Sequence, residues 1–335
     1  MSNLEKILNN KTSCKSVWFM RQAGRYLPEF RKIRSKNEDF IKLCLNSELS
    51  SKITLQPIKR FDLDSAIIFS DILIVPYALG QTVKFFKKKG PKLNRFNYKY
   101  FLNTNENEFF RKLKPVYKAI KLTRKKLDKK KSLISFVGAP WTLLIYMLDL
   151  KKSNSKLNTE KFKSLKNLDK IMDKLTLFLC LHIKNQSKAG ANVVQIFDSW
   201  AGLIPDKLKK DYCFAPNKRI VDFCKKHKIP TICFPKGIKK KYKDFNKFVK
   251  PSCLSIDPSI SPTWAKKNLK NVVLQGGLDP KILLRSNKAI FKRATKYIQI
   301  FRDIPYIFNL GHGLLPQTDP DKVNKLIKFY RSYNG

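Results

Sequence analysis

Histidine is scarce in this chain, and its scarcity removes whole classes of chemistry. Only three occur, at positions 182, 227 and 312. None forms an H-x-x-x-H or H-x-C pair, and no cysteine stands near His312 in the sequence, so a zinc or di-iron centre lacks its ligands. The seven cysteines, at 14, 44, 180, 213, 224, 233 and 253, make no C-x-x-C and no even framework, which points to a reducing cytosol. No G-x-G-x-x-G follows an apolar run, and neither a P-loop nor a G-x-S-x-G elbow occurs, so the usual signatures of dinucleotide, nucleotide and serine-hydrolase chemistry are missing. Long apolar runs are missing too. The longest, Leu175 to Ile183, is too short to span a bilayer, and the first sixteen residues have neither the apolar core of a secretion signal nor the arginine-rich look of a transit peptide. The expectation is a cytoplasmic protein with no membrane partner.

Acid is also in short supply. Seventy Lys and Arg against 25 Asp and Glu give a formal charge of +45, which by itself suggests nucleic acid. The lysines, however, are spread over nearly every polar segment, with triplets at 87–89, 129–131 and 239–241, and they form no single tail. Most of the charge therefore reads as solvated faces, with no specific nucleic-acid partner. A basic nucleic-acid-binding protein is the alternative, and it predicts steeply salt-dependent affinity and no turnover.

What is present is a globular composition, 43% hydrophobic and 12% aromatic over 335 residues, enough for one large core. Short apolar runs recur, each ending on a turn or polar residue: 65–69 before Ser70-Asp71, 133–137 before Gly138, 193–197 before Asp198-Ser199, 231–234 before Pro235, 253–256 before Asp257, 272–275 before Gly276 and 306–310 before Gly311-His312. Between them lie longer segments of helical spacing with lysine-rich faces, roughly 39–60, 106–130, 159–189, 206–227, 237–249, 260–269, 280–301 and 319–330. Such alternation implies parallel strands buried on both faces. With an eighth strand expected at 16–20, the count predicts an α/β fold, a single (β/α)8 TIM barrel occupying residues 1–335 as one domain. A doubly wound open sheet is the runner-up, without its glycine fingerprint. Residues 81–86, with Gly90-Pro91 beyond, read as an inserted hairpin.

Functional candidates gather at one loop and at the strand ends. The stretch from Trp18 to Arg34 sets Arg21, Arg25, Arg31, Lys32 and Arg34 among aromatic side chains, with Gln22, Ala23 and Gly24 bracketed by the first two arginines. Guanidinium offers a planar fork that grips carboxylate or phosphate bidentately, which lysine does not. In a barrel, the active site lies at the carboxyl ends of the strands. Asp71, Tyr146, Ser199 and His312 stand there. Each also has a plain structural role to weigh: helix capping for Asp71, Asp198 and Ser199, core packing for Tyr146. His312 is the sharpest candidate, because flanking glycines at a strand end clear space around its imidazole.

The strings WFMRQAGRYLPEFR, TLQPIKRFDLDSAIIFSDILIVP, GAPWTLLIYM, QIFDSWAGL, LQGGLDP and FNLGHGLLPQTDPDKV, in this order, resemble the uroporphyrinogen decarboxylase family over nearly the whole chain. The resemblance implies a barrel, usually a homodimer, that converts uroporphyrinogen III to coproporphyrinogen III by removing four acetate carboxylates, with no metal or organic cofactor. It implies that Arg21, Gln22, Ala23, Gly24, Arg25 and Arg34 line a cationic rim for substrate carboxylates. Asp71 matches the carboxylate that reaches the centre of the macrocycle. Tyr146 and Ser199 match residues that hydrogen-bond substrate or that aspartate, and His312 matches a histidine facing the substrate. Proton delivery falls to Arg21, His312 or a water held by them. Arginine is a poor acid at neutral pH, which favours the imidazole or the water, while the resemblance puts Arg21 forward. Zinc-dependent methyltransferases of similar fold are a competing class, and the missing His and Cys ligands argue against it.

Overall fold

Among the described residues ten short strands form, and eight of them make one ring. The computed structural model describes residues 1–10, 14–86 and 90–333; the lysine triplet 87–89 lies outside them. The strands are β1 Ser16–Val17, β2 Ser65–Ile67, β3 Val83–Phe86, β4 Gly90–Leu93, β5 Ser132–Gly138, β6 Val193–Asp198, β7 Thr231–Pro235, β8 Cys253–Ile256, β9 Val273–Gly276 and β10 Tyr306–Phe308. The seven apolar runs identified in the sequence and the eighth strand expected at 16–20 are all among them. β3 and β4 pair antiparallel as the expected hairpin. The other eight run parallel in the order β1-β10-β9-β8-β7-β6-β5-β2. Between the two ends of that order the Asp64 amide donates to the Val17 carbonyl at 3.0 Å. Asp64 Oδ2 also accepts from the Val17 amide at 2.7 Å. The result is a (β/α)8 barrel whose β1–β2 seam is fastened largely by side chains.

Helices follow each barrel strand, but several are shorter than their periodicity predicts. Residues 39–60 form two helices, Phe40–Leu45 and Ser47–Arg60, because the Asn46 side chain accepts from the Leu49 amide and starts a new helix there;. The 159–189 segment divides into Thr159–Lys163 and Leu168–Lys188, with Asn167 left-handed between them at φ 57°. The 206–227 segment opens with a 3-10 turn and a π turn before the helix Ala215–Lys226. Apolar spacing runs on through such breaks because both pieces bury the same face; the capping residue is the stronger signal.

An unexpected helix, Asn3–Asn10, closes the amino-terminal end of the barrel. Ser2 and Glu5 cap it reciprocally, the Glu5 amide donating to Ser2 Oγ at 3.2 Å and the Ser2 amide to Glu5 Oε2 at 3.0 Å;. Its Leu4, Ile7 and Leu8 pack on Trp18, Met20, Ile67, Ile134 and Val273 inside the ring. A second, larger apolar layer lies between strands and helices. Among the described residues no helix is long and apolar enough to cross a membrane.

Candidate active site

With the floor plugged, the open end of the barrel is the carboxyl end of its strands, and the arginine loop leaves β1 there. Trp18, Phe19 and Met20 are buried as the strand's continuation. The Met20 amide donates to Asn309 Oδ1 at 3.2 Å, and its carbonyl accepts from the Leu314 amide at 2.9 Å. The chain then turns sharply at Arg21, whose φ is +59°. A bulky residue in the left-handed region costs on the order of 1 kcal/mol or more, so surrounding contacts must hold it. They do. The Gln22 amide donates to the Phe19 carbonyl at 3.0 Å, and Gln22 Oε1 accepts from the Phe19 amide at 3.1 Å. Gln22 Nε2 reaches the Ser65 carbonyl on β2 at 2.9 Å, across the seam.

Arg21 is accessible from the mouth yet surrounded by protein. Burial lowers its pKa, Asp71 opposes that, and Arg25 adds to it. The stem of Arg21 lies against Gly313: a β-carbon there would stand 2.6 Å from Arg21 Cγ and 3.0 Å from Nε. At Gly311 the same space is filled by Pro258. The glycines around His312 therefore admit Arg21 and Pro258 to the mouth as well as freeing the imidazole.

Asp71 stands beyond β2, half-buried. It caps no helix; its Oδ1 accepts from the Leu73 amide at 2.8 Å, which fixes the carboxylate in a tight turn. Burial raises its pKa to about 6, against the opposing pull of the Leu73 amide and Arg21. Arg21 and Asp71 thus feel one another's charge without closing into a contact ion pair. Tyr146, on the buried helix Pro140–Met147, completes the group. Its hydroxyl pKa is raised by burial and by Asp71, and its ring meets Trp200 edge-on with centroids 6.2 Å apart.

His312 is half-buried, and its Nδ1 accepts from the Gly313 amide at 2.7 Å. That contact puts the imidazole proton on Nε2. Burial, Lys236 and Arg21 together push its pKa down to about 4. At neutral pH it is a neutral donor.

The structure thus brings Arg21, Asp71, Tyr146 and His312 together, with Arg25 beside Arg21. Ala23 and Gly24 lie half-buried in the same loop. Gln22 is different, and the expectation that it lines the rim is corrected: the whole residue is buried, both ends of its side-chain amide are used, its backbone amide donates to the Phe19 carbonyl and its carbonyl accepts from the Tyr26 hydroxyl at 2.8 Å, so it braces the loop and meets no ligand. Arg34 stands apart on the helix Pro28–Ser35, donating to the Asn37 carbonyl and lying 5.7 Å over the Phe40 ring. Ser199 is half-buried beyond β6 and caps nothing. Its neighbour Asp198 does not cap either; it is buried and accepts from Thr142 Oγ1 at 2.7 Å and Asn217 Nδ2 at 3.2 Å, tying three elements together. Its pKa rises to about 6 through burial.

Two residues at the mouth escaped the sequence reading. Trp200 packs on Tyr146, and Lys236 follows β7 within electrostatic range of Arg21 and His312. The signal for Lys236 was its place one residue past a strand stop, hidden by the abundance of lysine elsewhere. Among the described residues no three His, Cys, Asp or Glu side chains come together as a metal site. Chemically, the mouth holds a fixed carboxylate facing a set of cations and neutral donors. That suits a ligand carrying several anionic groups at its edge and a cationic or N–H-bearing centre.

Comparison with known proteins agrees with this geometry. A family model described as uroporphyrinogen decarboxylase (URO-D) matches residues 3–333. Proteins named uroporphyrinogen decarboxylase from Rickettsia bellii and Wolbachia pipientis are 41% and 40% identical, over 98% and 95% of this chain and 97% and 94% of their own. One from a Jannaschia species is 38% identical over 94% of each. Among solved structures, a methyltransferase from Methanosarcina mazei superposes with a TM-score of 0.80 over 99% of this chain and 98% of its own, at 16% identity; that likeness concerns the fold alone.

Proposed function

The chain belongs to the uroporphyrinogen decarboxylase family, and we propose on that premise that it removes the four acetate carboxylates of uroporphyrinogen III to give coproporphyrinogen III. It is a decarboxylase of porphyrin and haem biosynthesis. In each round, protonation of the pyrrole α-carbon next to the carbon that bears the acetate arm makes the ring an iminium-like electron sink. The arm's C–C bond then breaks, its electrons fill the sink and carbon dioxide leaves. A second proton on the exocyclic carbon makes the methyl group, and loss of the first proton from the ring carbon restores the pyrrole, so the net change is one acetate and one proton to one methyl and one CO2. Neither step calls for a metal or organic cofactor.

Asp71 is the observation that carries this reading. A half-buried carboxylate, ionised above about pH 6 and held by one backbone amide, is suited to sit under the pyrrole N–H groups and stabilise the ring cation. Low local dielectric strengthens that attraction. Arg21 and Arg25 grip peripheral carboxylates, Arg34, Ala23 and Gly24 extend that rim, and Gln22 braces the loop from within the wall. Tyr146 and Ser199 donate to a substrate carboxylate or to Asp71. His312 donates through Nε2–H; with its pKa near 4 it is a weak source of protons at neutral pH, so a water held by Arg21 and His312 delivers the proton. We take residues 1–335 as one domain that works as a homodimer. Its place is the cytoplasm, where seven free thiols suit a reducing environment.

Incubating the purified protein anaerobically with uroporphyrinogen III and separating the products by chromatography tests the reading. Seven- to four-carboxylate products are expected in succession; folded protein that yields none overturns it.

A further inference from the structure

Lys236 is the residue at the mouth for which the reaction so far has no use. It directly follows β7, which lies four places around the ring from β1, so it faces the arginine loop across the opening. Its backbone is unusually constrained. The Lys236 amide donates to the carbonyls of Asp198 at 3.1 Å and Phe234 at 3.0 Å, and its own carbonyl accepts from the Gly202 amide at 3.0 Å. The two loops meet backbone to backbone at this point: a β-carbon on Gly202 would stand 2.9 Å from the Gly237 carbonyl oxygen. A lysine fixed this firmly at its root loses less freedom when its amine binds something.

Among the described residues the amine itself has no hydrogen bond or ion pair, although a carboxylate, Asp257, is nearby. Asp257 is already saturated. Its Oδ2 accepts from the Gly237 amide at 2.7 Å and the Tyr242 hydroxyl at 3.0 Å, and its Oδ1 from the Ser259 amide at 2.9 Å and hydroxyl at 2.5 Å. Four donors fill a carboxylate's acceptor sites. Lys236 is therefore a half-buried cation with no anion of its own, placed near a second cation, Arg21, and a neutral imidazole donor. Burial lowers its pKa and Arg21 lowers it further, against the pull of Asp257. An arrangement of this kind is costly when empty and is relieved by an incoming anion.

We propose that Lys236 is a substrate-binding residue, taking an acetate or propionate carboxylate of the macrocycle on the β7 side of the mouth while Arg21 holds another from the β1 side. This rests on the proposed decarboxylation for the identity of the ligand, but not for the presence of an anion site. Two cations on opposite walls span the ligand and limit its rotation, so Lys236 also helps set which acetate lies next to the Asp71 carboxylate.

The test compares Lys236→Met and Lys236→Arg with the wild-type chain in two assays. One is equilibrium binding of the oxidised octacarboxylate uroporphyrin, followed by fluorescence, which needs no turnover. The other is decarboxylation of uroporphyrinogen III. Lys236→Met is expected to weaken binding and raise KM by about tenfold, with the larger share of the loss in KM, an unchanged melting temperature and a shallower salt dependence. Lys236→Arg should recover most of both. Wild-type binding by Lys236→Met overturns the inference while leaving the decarboxylase reading intact. Equal losses in Met and Arg with a lowered melting temperature also overturn it, since they mark a structural lysine. Weakened binding by Lys236→Met, together with a wild-type chain that turns nothing over, supports the anion site and overturns the decarboxylase reading.

Discussion

Gly313 and Arg21 occupy one volume: the glycine lacks the carbon that would stand 2.6 Å from Cγ of the arginine. Gly313→Ala should therefore displace the Arg21 side chain while leaving the barrel intact. We expect kcat/KM for uroporphyrinogen III to fall about tenfold or more, near 1.4 kcal/mol of transition-state stabilisation, with little change in melting temperature. Wild-type kcat/KM would show that the guanidinium tolerates another position.

Asp71→Asn separates stability from activity. The folded-state pKa of Asp71 is raised to about 6, above the ordinary carboxylate value, so the folded chain prefers the neutral form and bears a cost for ionising it. That cost is present at pH 7 and fades as pH falls from about 6 towards 4. Asparagine removes it. The variant should gain on the order of 1–2 kcal/mol in urea unfolding at pH 7, allowing for solvent in the mouth, with the gain shrinking towards pH 4. Turnover should drop at least about a hundredfold, as when one charge-stabilising group is lost. A destabilised or active variant contradicts the role assigned to the carboxylate.

The acid side of the pH profile distinguishes Asp71 from His312. In free enzyme kcat/KM should decline as pH falls through about 6, where Asp71 takes up a proton and the ring cation loses its counter-charge;. A limb near 4 instead would assign the titration to His312.

His312→Gln asks whether the imidazole is an acid or a fixed donor. A side-chain amide can replace the Nε2–H but cannot release a proton near neutrality. Retention of kcat to within about tenfold is expected; a loss comparable to that of Asp71→Asn would make the histidine the proton source.

Particular residues show what the sequence could and could not reveal. The barrel was legible because each parallel strand is buried on both faces and stops abruptly, as at Gly138, Asp198 and Gly276. Direction was less legible. Gln22 sits between two mouth-facing arginines, yet its side chain points into the barrel wall to fasten the seam, and neither spacing nor composition reports a side chain's heading. Asp198 looked like a cap and is a buried junction because its partners come from helices distant in sequence. The amino-terminal helix was open to detection: Ser2 and Glu5 stand in capping-box register before Leu4, Ile7 and Leu8. Lys236 was concealed as one of 70 Lys and Arg residues, among which a single lysine carries no contrast until its surroundings are known.

The helix Asn3–Asn10, driven into the base of the barrel by Leu4, Ile7 and Leu8, stops that end, so among the described residues the carboxyl end of the strands is where a ligand enters and products leave. On the proposed chemistry, four molecules of carbon dioxide must escape past the macrocycle that produced them. A ligand that sealed the entrance would trap its own waste, so the bound macrocycle must leave a gap at the rim, and gas exit and reorientation of the next acetate share that gap.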